Sequence, residues 1–316
     1  MKLLIVLLAC FSFMSYAANP LTLEQFQVDL KLSKAAKLEK WTWGWDSTQM
    51  GKYTVGGYMP PKNPRPTRLM ADPEEKYKSV SLDDNGMPRA PILDQGTCGS
   101  CVPSAFVGGA MDLMLQRGFK VPILSIGELM WCGKGWQCSG AMGETIAADL
   151  IALGSLVSND DVPYYPQNGR CPRTKGMARF GEFQDWDNID GSARSIAAAL
   201  TNRQPVMCGV AVDYQFQVYR SGVYNPANFY QGVNHYVKVT GLDCQDAVDA
   251  EGYCQFNAKG NLPPQKGILT IDNSWGEQYG DKGRIYMQMT NVRGTRTNAI
   301  CSGLGNAQIV FTNAKP

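Results

Sequence analysis

The chain has 316 residues, which is enough for one large domain or two modest ones. Hydrophobic residues make up 44% of it and charged residues 18%, an ordinary balance for a globular protein. The formal charge of +2 gives no reason to expect nucleic acid or an acidic membrane surface as a partner.

Residues 1–17 are predicted to be a signal peptide. Lys2 supplies a short positive start, an apolar run continues to Met14, and Ser15-Tyr16-Ala17 forms a small-x-small cleavage site. The alternative is a membrane anchor, but the apolar run is too short to span a bilayer comfortably. We therefore expect export, without a stable membrane span, to the external medium, a periplasm or a lysosome-like compartment.

The cysteine count gains meaning from export, because exported proteins form disulfides. The chain has 10 cysteines, and Cys10 leaves with the signal peptide. An odd number remains, which indicates one free thiol beside four disulfides, and the count does not say which cysteine is free. The remaining nine are Cys98, Cys101, Cys132, Cys138, Cys171, Cys208, Cys244, Cys254 and Cys301.

Residues 18–76 contain no cysteine and differ from the rest of the chain. Leu23, Phe26 and Leu30 fall at helical spacing and predict an amphipathic helix within residues 21–40. Alternating aromatic residues at 41–45 and 53–58 predict a β-hairpin with one aromatic face, although a sugar-binding tryptophan strip is the alternative. Repeated prolines at 60–73 predict an extended linker.

Residues 77–316 alternate between helical and strand-like segments. Helices are predicted at 101–117, 125–132, 143–153 and 192–202, and strands at 206–212, 236–242, 267–272 and 284–289. The polar stretch 243–266 is interpreted as an inserted loop closed by its own Cys244–Cys254 bridge. Helices first and strands later predict an α+β fold with two segregated lobes.

Two motifs and one histidine carry the candidate chemistry. Residues 95–101 read Gln-Gly-Thr-Cys-Gly-Ser-Cys, residues 272–280 read Asp-Asn-Ser-Trp-Gly-Glu-Gln-Tyr-Gly, and His235 is the only histidine. Cys101 would begin a helix, where the peptide dipoles favour a thiolate, and a histidine in contact would complete a thiolate–imidazolium pair. The alternatives for Cys101 are a disulfide, or a redox or metal CxxC site that it would form with Cys98. The alternative for His235 is a purely structural role.

With these motifs the sequence resembles the papain family of cysteine peptidases from about residue 79 to the C-terminus. Other stretches that carry the resemblance are 124–129, 138–140, 162–165, 216–224 and 298–301. The resemblance implies a papain-like two-lobed fold, with a helical left lobe, a β-barrel-like right lobe and the active-site cleft between them.

The resemblance also implies roles for individual residues. Cys101 would be the nucleophile, His235 its base, and Asn273 the amide that orients the imidazole. Gln95 would join the Cys101 backbone N–H in the oxyanion hole. Trp275 would cover the His–Asn hydrogen bond and line the substrate site.

Disulfide pairing follows in part from the same resemblance, which implies bridges Cys98–Cys138 and Cys132–Cys171 and leaves Cys101 free. The Cys244–Cys254 bridge is inferred from the inserted loop, and Cys208–Cys301 then follows by elimination.

The sequence departs from the family pattern near the cleft. Val102-Pro103 follows the nucleophile, where an aromatic residue is usual. Gly140-Ala141 stands in place of the Gly-Gly pair that binds substrate backbone. Tyr236 follows the histidine in place of a small residue and is expected to crowd the cleft. Residues 18–76 lack the usual long helical motif of the family's pro-segments.

The sequence therefore predicts a monomeric, exported cysteine endopeptidase made as a zymogen. It would hydrolyse protein or peptide substrates through a covalent acyl-enzyme, with residues 18–76 as an inhibitory propeptide and without a cofactor or metal. One alternative is an inactive relative that binds peptides or surfaces as an adhesion protein. The other is an amidase or transamidase with the same Cys–His machinery.

Overall fold

The structure is a computed structural model of the chain, and it describes residues 44–45, 74–133, 136–225, 233–289, 301 and 309–315. The predicted signal peptide, the 21–40 helix, the 53–58 arm of the hairpin and the 60–73 linker lie outside these residues.

The left lobe is built on helix α1 (Cys101–Gln116), which is buried on nearly every side. Helix α2 (Ile126–Cys132) and helix α3 (Gly143–Leu153) pack against it. The Ser125 hydroxyl accepts the Glu128 N–H and caps the start of α2. Gly154 ends α3 in the left-handed conformation, with φ +71°, which favours glycine. Strands β3 (Leu156–Val157) and β4 (Arg179–Phe180) pair beside these helices.

The right lobe is an eight-stranded sheet. Its strands are β2 (Val80–Ser81), β5 (Glu182–Asn188), β6 (Val206–Val210), β8 (Val223–Tyr224), β9 (His235–Asp243), β10 (Ile268–Asp272), β11 (Arg284–Gln288) and β12 (Ile309–Lys315). The strand order is β5-β12-β6-β9-β10-β11-β8, and β2 pairs with β9. Among the described strands the end strands β5 and β8 do not pair with each other. Over the described strands the sheet is therefore open, whereas the family resemblance implied a barrel-like lobe.

Two short helices and two further strands complete the right lobe. Helix α4 (Ala193–Thr201) packs against β9, β2 and β6. Helix α5 (Tyr214–Gln217) leads into strand β7 (Tyr219–Ser221). Strand β1 (Gly44–Trp45) pairs antiparallel with β7, so this part of the N-terminal segment contacts the body of the protein.

Strand β9 separates the two hydrophobic cores. Because side chains alternate along a strand, Val237 and Val239 enter the right-lobe core while Tyr236 enters the left-lobe core. Burial on both faces explains why eight consecutive residues of β9 are buried. The strand that begins with His235 is thus fixed from both sides.

A buried cluster of charges joins the two lobes. On α1, Asp112 pairs with Lys238 of β9, and it accepts a hydrogen bond from Arg89 at 2.9 Å. At the end of β10, Asp272 accepts from Arg89 at 2.7 Å and lies 3.1 Å from Lys238. Burial opposes ionisation, but Lys238 and Arg89 outweigh it and hold the pKa of Asp112 below its usual value. The cluster ties α1 to strand β9, which begins at His235, and to strand β10, which ends directly before Asn273.

The inserted loop holds the segment that precedes strand β2. Cys244 and Cys254 are bridged, and the Cys254 N–H donates to the Tyr77 carbonyl at 2.7 Å. The Cys244 N–H donates to the Ser79 hydroxyl at 2.8 Å. Strand β2 then continues this attachment along β9.

Within the described ranges, no helix has both the length and the apolar character needed to cross a bilayer.

Candidate active site

Cys101 is the first residue of α1 and the one free cysteine among the described residues. The backbone N–H groups of Tyr236, Val102 and Cys101 lie near its sulfur and lower its pKa. Complete burial outweighs them and raises the pKa of Cys101 to about 12. Pro103 lies in the first turn of the helix, where its missing N–H costs no helical hydrogen bond.

His235 is the first residue of β9 and is completely buried. Its Nε2 lies 2.8 Å from Asn273 Oδ1, which also accepts the Ser274 N–H. An amide oxygen only accepts, so Nε2 carries the proton and Nδ1 keeps its lone pair. Among the described atoms Nδ1 has no hydrogen-bond partner. Burial lowers the pKa of His235 from 6.5 to about 4, against the opposing effect of Asn273.

Burial therefore shifts the pKa of the thiol and the pKa of the imidazole in opposite directions. Burial disfavours both the thiolate and the imidazolium, so Cys101 and His235 are both neutral in the full-length chain. A neutral thiol with a neutral imidazole nearby is the state before the proton moves from sulfur to Nδ1.

An aromatic cover lies over the His–Asn pair. The Trp275 ring is 4.9 Å from the His235 ring, measured between centroids. Phe216 meets Trp275 edge-on at 5.7 Å, and Tyr279 does so at 4.9 Å. These rings keep water from the hydrogen bond between His235 and Asn273, which strengthens it.

Gln95 lies fully buried at the start of the loop that leads to Cys101. Its Oε1 accepts the Ser274 hydroxyl at 2.6 Å, and its Nε2 donates to the Cys98 carbonyl at 2.9 Å. An amide nitrogen carries two hydrogens, so the second N–H of Gln95 is left for another acceptor. Such an acceptor near the Cys101 backbone N–H would be a substrate oxyanion.

The edge formed by Gly140 and Ala141 is tied to the same loop. The Gly99 N–H donates to the Cys138 carbonyl at 3.1 Å, two residues before Gly140. Gly140 has φ +112°, a conformation that side chains rarely adopt, and both Gly140 and Ala141 are buried. The Gly140 position therefore requires glycine whether or not it binds a substrate.

Tyr236 packs into the left-lobe core, so the crowding of the cleft that we expected from its size is not found. Its ring stacks on Phe106 of α1 at 5.9 Å, and its hydroxyl donates to the Met207 carbonyl at 3.1 Å. The alternation along β9 explains this, because adjacent side chains point to opposite faces and His235 occupies the other one.

The structure joins eight cysteines in four bridges around the site, which are Cys98–Cys138, Cys132–Cys171, Cys208–Cys301 and Cys244–Cys254. The first of these anchors the loop that carries Gln95 and Cys101. In the described part of the chain no group of three or more His, Cys, Asp or Glu side chains could hold a metal ion.

Sequence reasoning missed two features beside the site. One is the buried charge cluster, whose signals were Asp112 within an apolar helix and Lys238 between two valines. The other is Tyr164, whose hydroxyl contacts the loop before Cys101. Tyr164 belongs to one of the stretches that carried the family resemblance, but its partners are distant in sequence.

Comparison with known proteins finds a family and several relatives. Residues 78–302 match the model of the papain family cysteine proteases. Falcipain-2a of Plasmodium falciparum (isolate 3D7) is 27% identical over 205 residues, 63% of this chain and 39% of the relative. Cathepsin S of Bos taurus is 27% identical over 242 residues, 72% of this chain and 65% of the relative. The match thus spans about two fifths of the length of relatives such as falcipain-2a.

Solved structures show the same fold. A recombinant stem bromelain precursor superposes with a TM-score of 0.62 at 21% identity, over 90% of this chain and 88% of that one. The ragweed pollen allergen Amb a 11, a cysteine protease in its proform, gives a TM-score of 0.61 at 19% identity, over 90% and 84% of the two chains.

Proposed function

Because the chain belongs to the papain family of cysteine proteases, we propose that it is a cysteine peptidase that acts through a Cys-His-Asn triad. The observation that carries the proposal is the 2.8 Å hydrogen bond between His235 Nε2 and Asn273 Oδ1. That bond leaves Nδ1 as a base, and the backbone N–H of the next residue of β9, Tyr236, lies near the sulfur of Cys101.

Peptide hydrolysis would proceed by acyl transfer. The proton of the Cys101 thiol passes to His235 Nδ1, and the thiolate attacks the substrate carbonyl carbon. The Cys101 backbone N–H and the free N–H of Gln95 stabilise the oxyanion. When the tetrahedral intermediate collapses, the C–N bond breaks, His235 protonates the leaving amine, and a thioester to Cys101 remains. Water, deprotonated by His235, then attacks the thioester and releases the acid and the thiol.

The chain is further proposed to be made as a precursor, with residues 1–17 as signal peptide and 18–76 as inhibitory propeptide. Support comes from β1, which pairs with β7 at the aromatic cover of the site. Tyr219 of β7 lies 6.2 Å from Tyr279, which contacts Trp275, the ring beside His235. Complete burial of Cys101 and His235 in the full-length chain also fits a closed cleft.

Two other observations fit an exported zymogen. The four disulfides favour an oxidising compartment, since the cytosol keeps thiols reduced. The stem bromelain structure is of a precursor and the Amb a 11 structure is of a proform, and each covers 90% of this chain.

Turnover of a peptide library by the processed protein tests the proposal. We expect hydrolysis by wild type and none by Cys101→Ala, with Ser104→Ala, one turn along the same helix, as an active control. A product in which an added amine replaces water would indicate a transamidase. Binding of peptides without turnover by wild type would indicate an inactive relative, and either result would contradict the proposal.

A further inference from the structure

The hydroxyl of Tyr164 lies between two residues of the loop that carries the candidate oxyanion donors. It is 3.0 Å from the Gln95 carbonyl oxygen and 2.6 Å from the Ser100 hydroxyl. These two residues stand at opposite ends of the 95–100 loop, directly before Cys101. One side chain from another part of the left lobe therefore closes the loop on itself.

Chemistry fixes the direction of both hydrogen bonds. A carbonyl oxygen only accepts, so Tyr164 donates its single hydroxyl proton to Gln95. Ser100 must then donate its own proton to the Tyr164 oxygen. Burial raises the pKa of Tyr164, so its hydroxyl keeps the donated proton throughout the pH range in which peptidases work.

Tyr164 is itself held in place independently of the loop. Its backbone N–H donates to the Asn159 side chain at 3.0 Å, and its ring stacks on Trp131 of α2 with centroids 6.4 Å apart. Helix α2 packs against α1 and α3, so the hydroxyl projects from the rigid body of the lobe. A loop tied to a rigid group keeps its own donors in a fixed arrangement.

We propose that Tyr164 is a positioning residue for the oxyanion hole. Its hydroxyl holds the Gln95 carbonyl and Ser100, the residue before Cys101. It therefore fixes the distance between the two oxyanion donors, the Gln95 side-chain amide and the Cys101 backbone N–H. The inference rests on the proposed peptidase function. Tyr164 bonds to the loop and needs no contact with substrate, so its loss should weaken the tetrahedral intermediate more than substrate binding.

The test is Tyr164→Phe in the processed enzyme, with Tyr165→Phe as matched control, because Tyr165 is 56% exposed. We expect kcat of Tyr164→Phe to fall about fivefold, the effect of losing a net hydrogen-bond contribution of about 1 kcal/mol, with KM within about twofold. Tyr165→Phe should match wild type. Alkylation of Cys101 by iodoacetamide needs no oxyanion hole, so its rate should be unchanged in both variants.

A second variant tests whether Tyr164 acts on kcat through its hydrogen bonds to the 95–100 loop. Ser100→Ala removes the other bond to the same hydroxyl, so the double variant with Tyr164→Phe should lose less than the product of the two single losses. Equal kcat for Tyr164→Phe and Tyr165→Phe, or a parallel fall in alkylation rate, would overturn this inference alone. Failure of wild type to hydrolyse any peptide would overturn the proposed function as well.

Discussion

At the scale of single residues, the structure places a neutral thiol and a neutral imidazole where the proposed chemistry needs an ion pair. Burial is the common cause, since it raises the pKa of Cys101 to about 12 and lowers that of His235 to about 4. Access of water to the cleft would remove both penalties together. We therefore expect the proton transfer from sulfur to Nδ1 only when the cleft is open to water.

The depressed pKa of His235 predicts how stability depends on pH. The folded chain binds fewer protons than the unfolded chain between about 4 and 6.5, so it loses stability as pH falls through that range and loses no more below it. The measurement is the urea unfolding free energy of full-length Cys101→Ala, which cannot process itself, from pH 7 to pH 4.

Other carboxylates titrate in the same range, so the comparison needs a control. Adding His235→Gln to the same background should make the loss of unfolding free energy smaller. Identical pH profiles with and without His235 would show that the buried imidazole does not resist protonation.

At the scale of elements, sequence patterns predicted the helices and strands that local interactions stabilise. The helix expected at 101–117 is found at Cys101–Gln116, and the strand expected at 236–242 is found within His235–Asp243. Strand β5 was not predicted, because its sequence Glu-Phe-Gln-Asp-Trp-Asp-Asn is rich in residues that disfavour strands. It forms through pairing with β12 over most of its length, a contact that one sequence does not reveal.

The candidate site divides in the same way. Gln95, Cys101 and Asn273 stand in two ordered motifs and His235 is the only histidine, so the sequence alone singled them out. The roles of Tyr164, Lys238 and Asp112 depend on partners in other elements, and the sequence does not show which residues those partners are. Likewise, the Tyr236 side chain points away from the cleft because side chains alternate along β9 and because the left-lobe core has space for its ring beside Phe106.

The inserted loop predicts a pattern of resistance to trypsin. Backbone bonds from the Cys244–Cys254 loop hold Tyr77 and Ser79, so the bonds after Lys76 and Lys78 should resist cleavage although the Lys76 side chain is 63% exposed. In Cys244→Ser/Cys254→Ser both bonds should be cut, as judged by mass spectrometry of timed digests of the Cys101→Ala chain.

The digest has two controls, a reference cleavage site and a control variant. Cleavage after Lys175, in an exposed turn, should proceed in every variant. Asp249→Asn removes only the ion pair with Lys76 at 3.1 Å, and surface ion pairs are weak, so protection should remain. Equal cleavage after Lys76 with and without the Cys244–Cys254 bridge would refute the attachment of this segment by the loop.

At the scale of the whole molecule, the lobes meet at the site and share its supports. The charge cluster of Asp112, Lys238, Asp272 and Arg89 crosses the boundary between α1, which begins at Cys101, and β9, which begins at His235. Buried ion pairs contribute little net stability, but breaking one is costly, so this cluster fixes the arrangement of the lobes. The N-terminal segment adds a third part through β1 and β7.

Pairing of β1 with β7 predicts inhibition in trans. The isolated 18–76 segment, added at micromolar concentration to the processed enzyme, should inhibit peptide hydrolysis. A segment with Gly44→Pro lacks one backbone N–H and should inhibit more weakly, because proline cannot donate to a strand partner. Full activity of the unprocessed chain, together with no inhibition by either segment, would exclude an inhibitory propeptide.

The most direct measurement of the central proposal is the site of covalent labelling by a peptidyl epoxide, read by mass spectrometry alongside peptide hydrolysis. We expect one label per processed molecule, on Cys101, with activity lost in proportion to labelling. His235→Ala should label far more slowly, because its thiol has no base. Full hydrolysis by a fully labelled enzyme, or a label on any residue other than Cys101, would contradict the proposal.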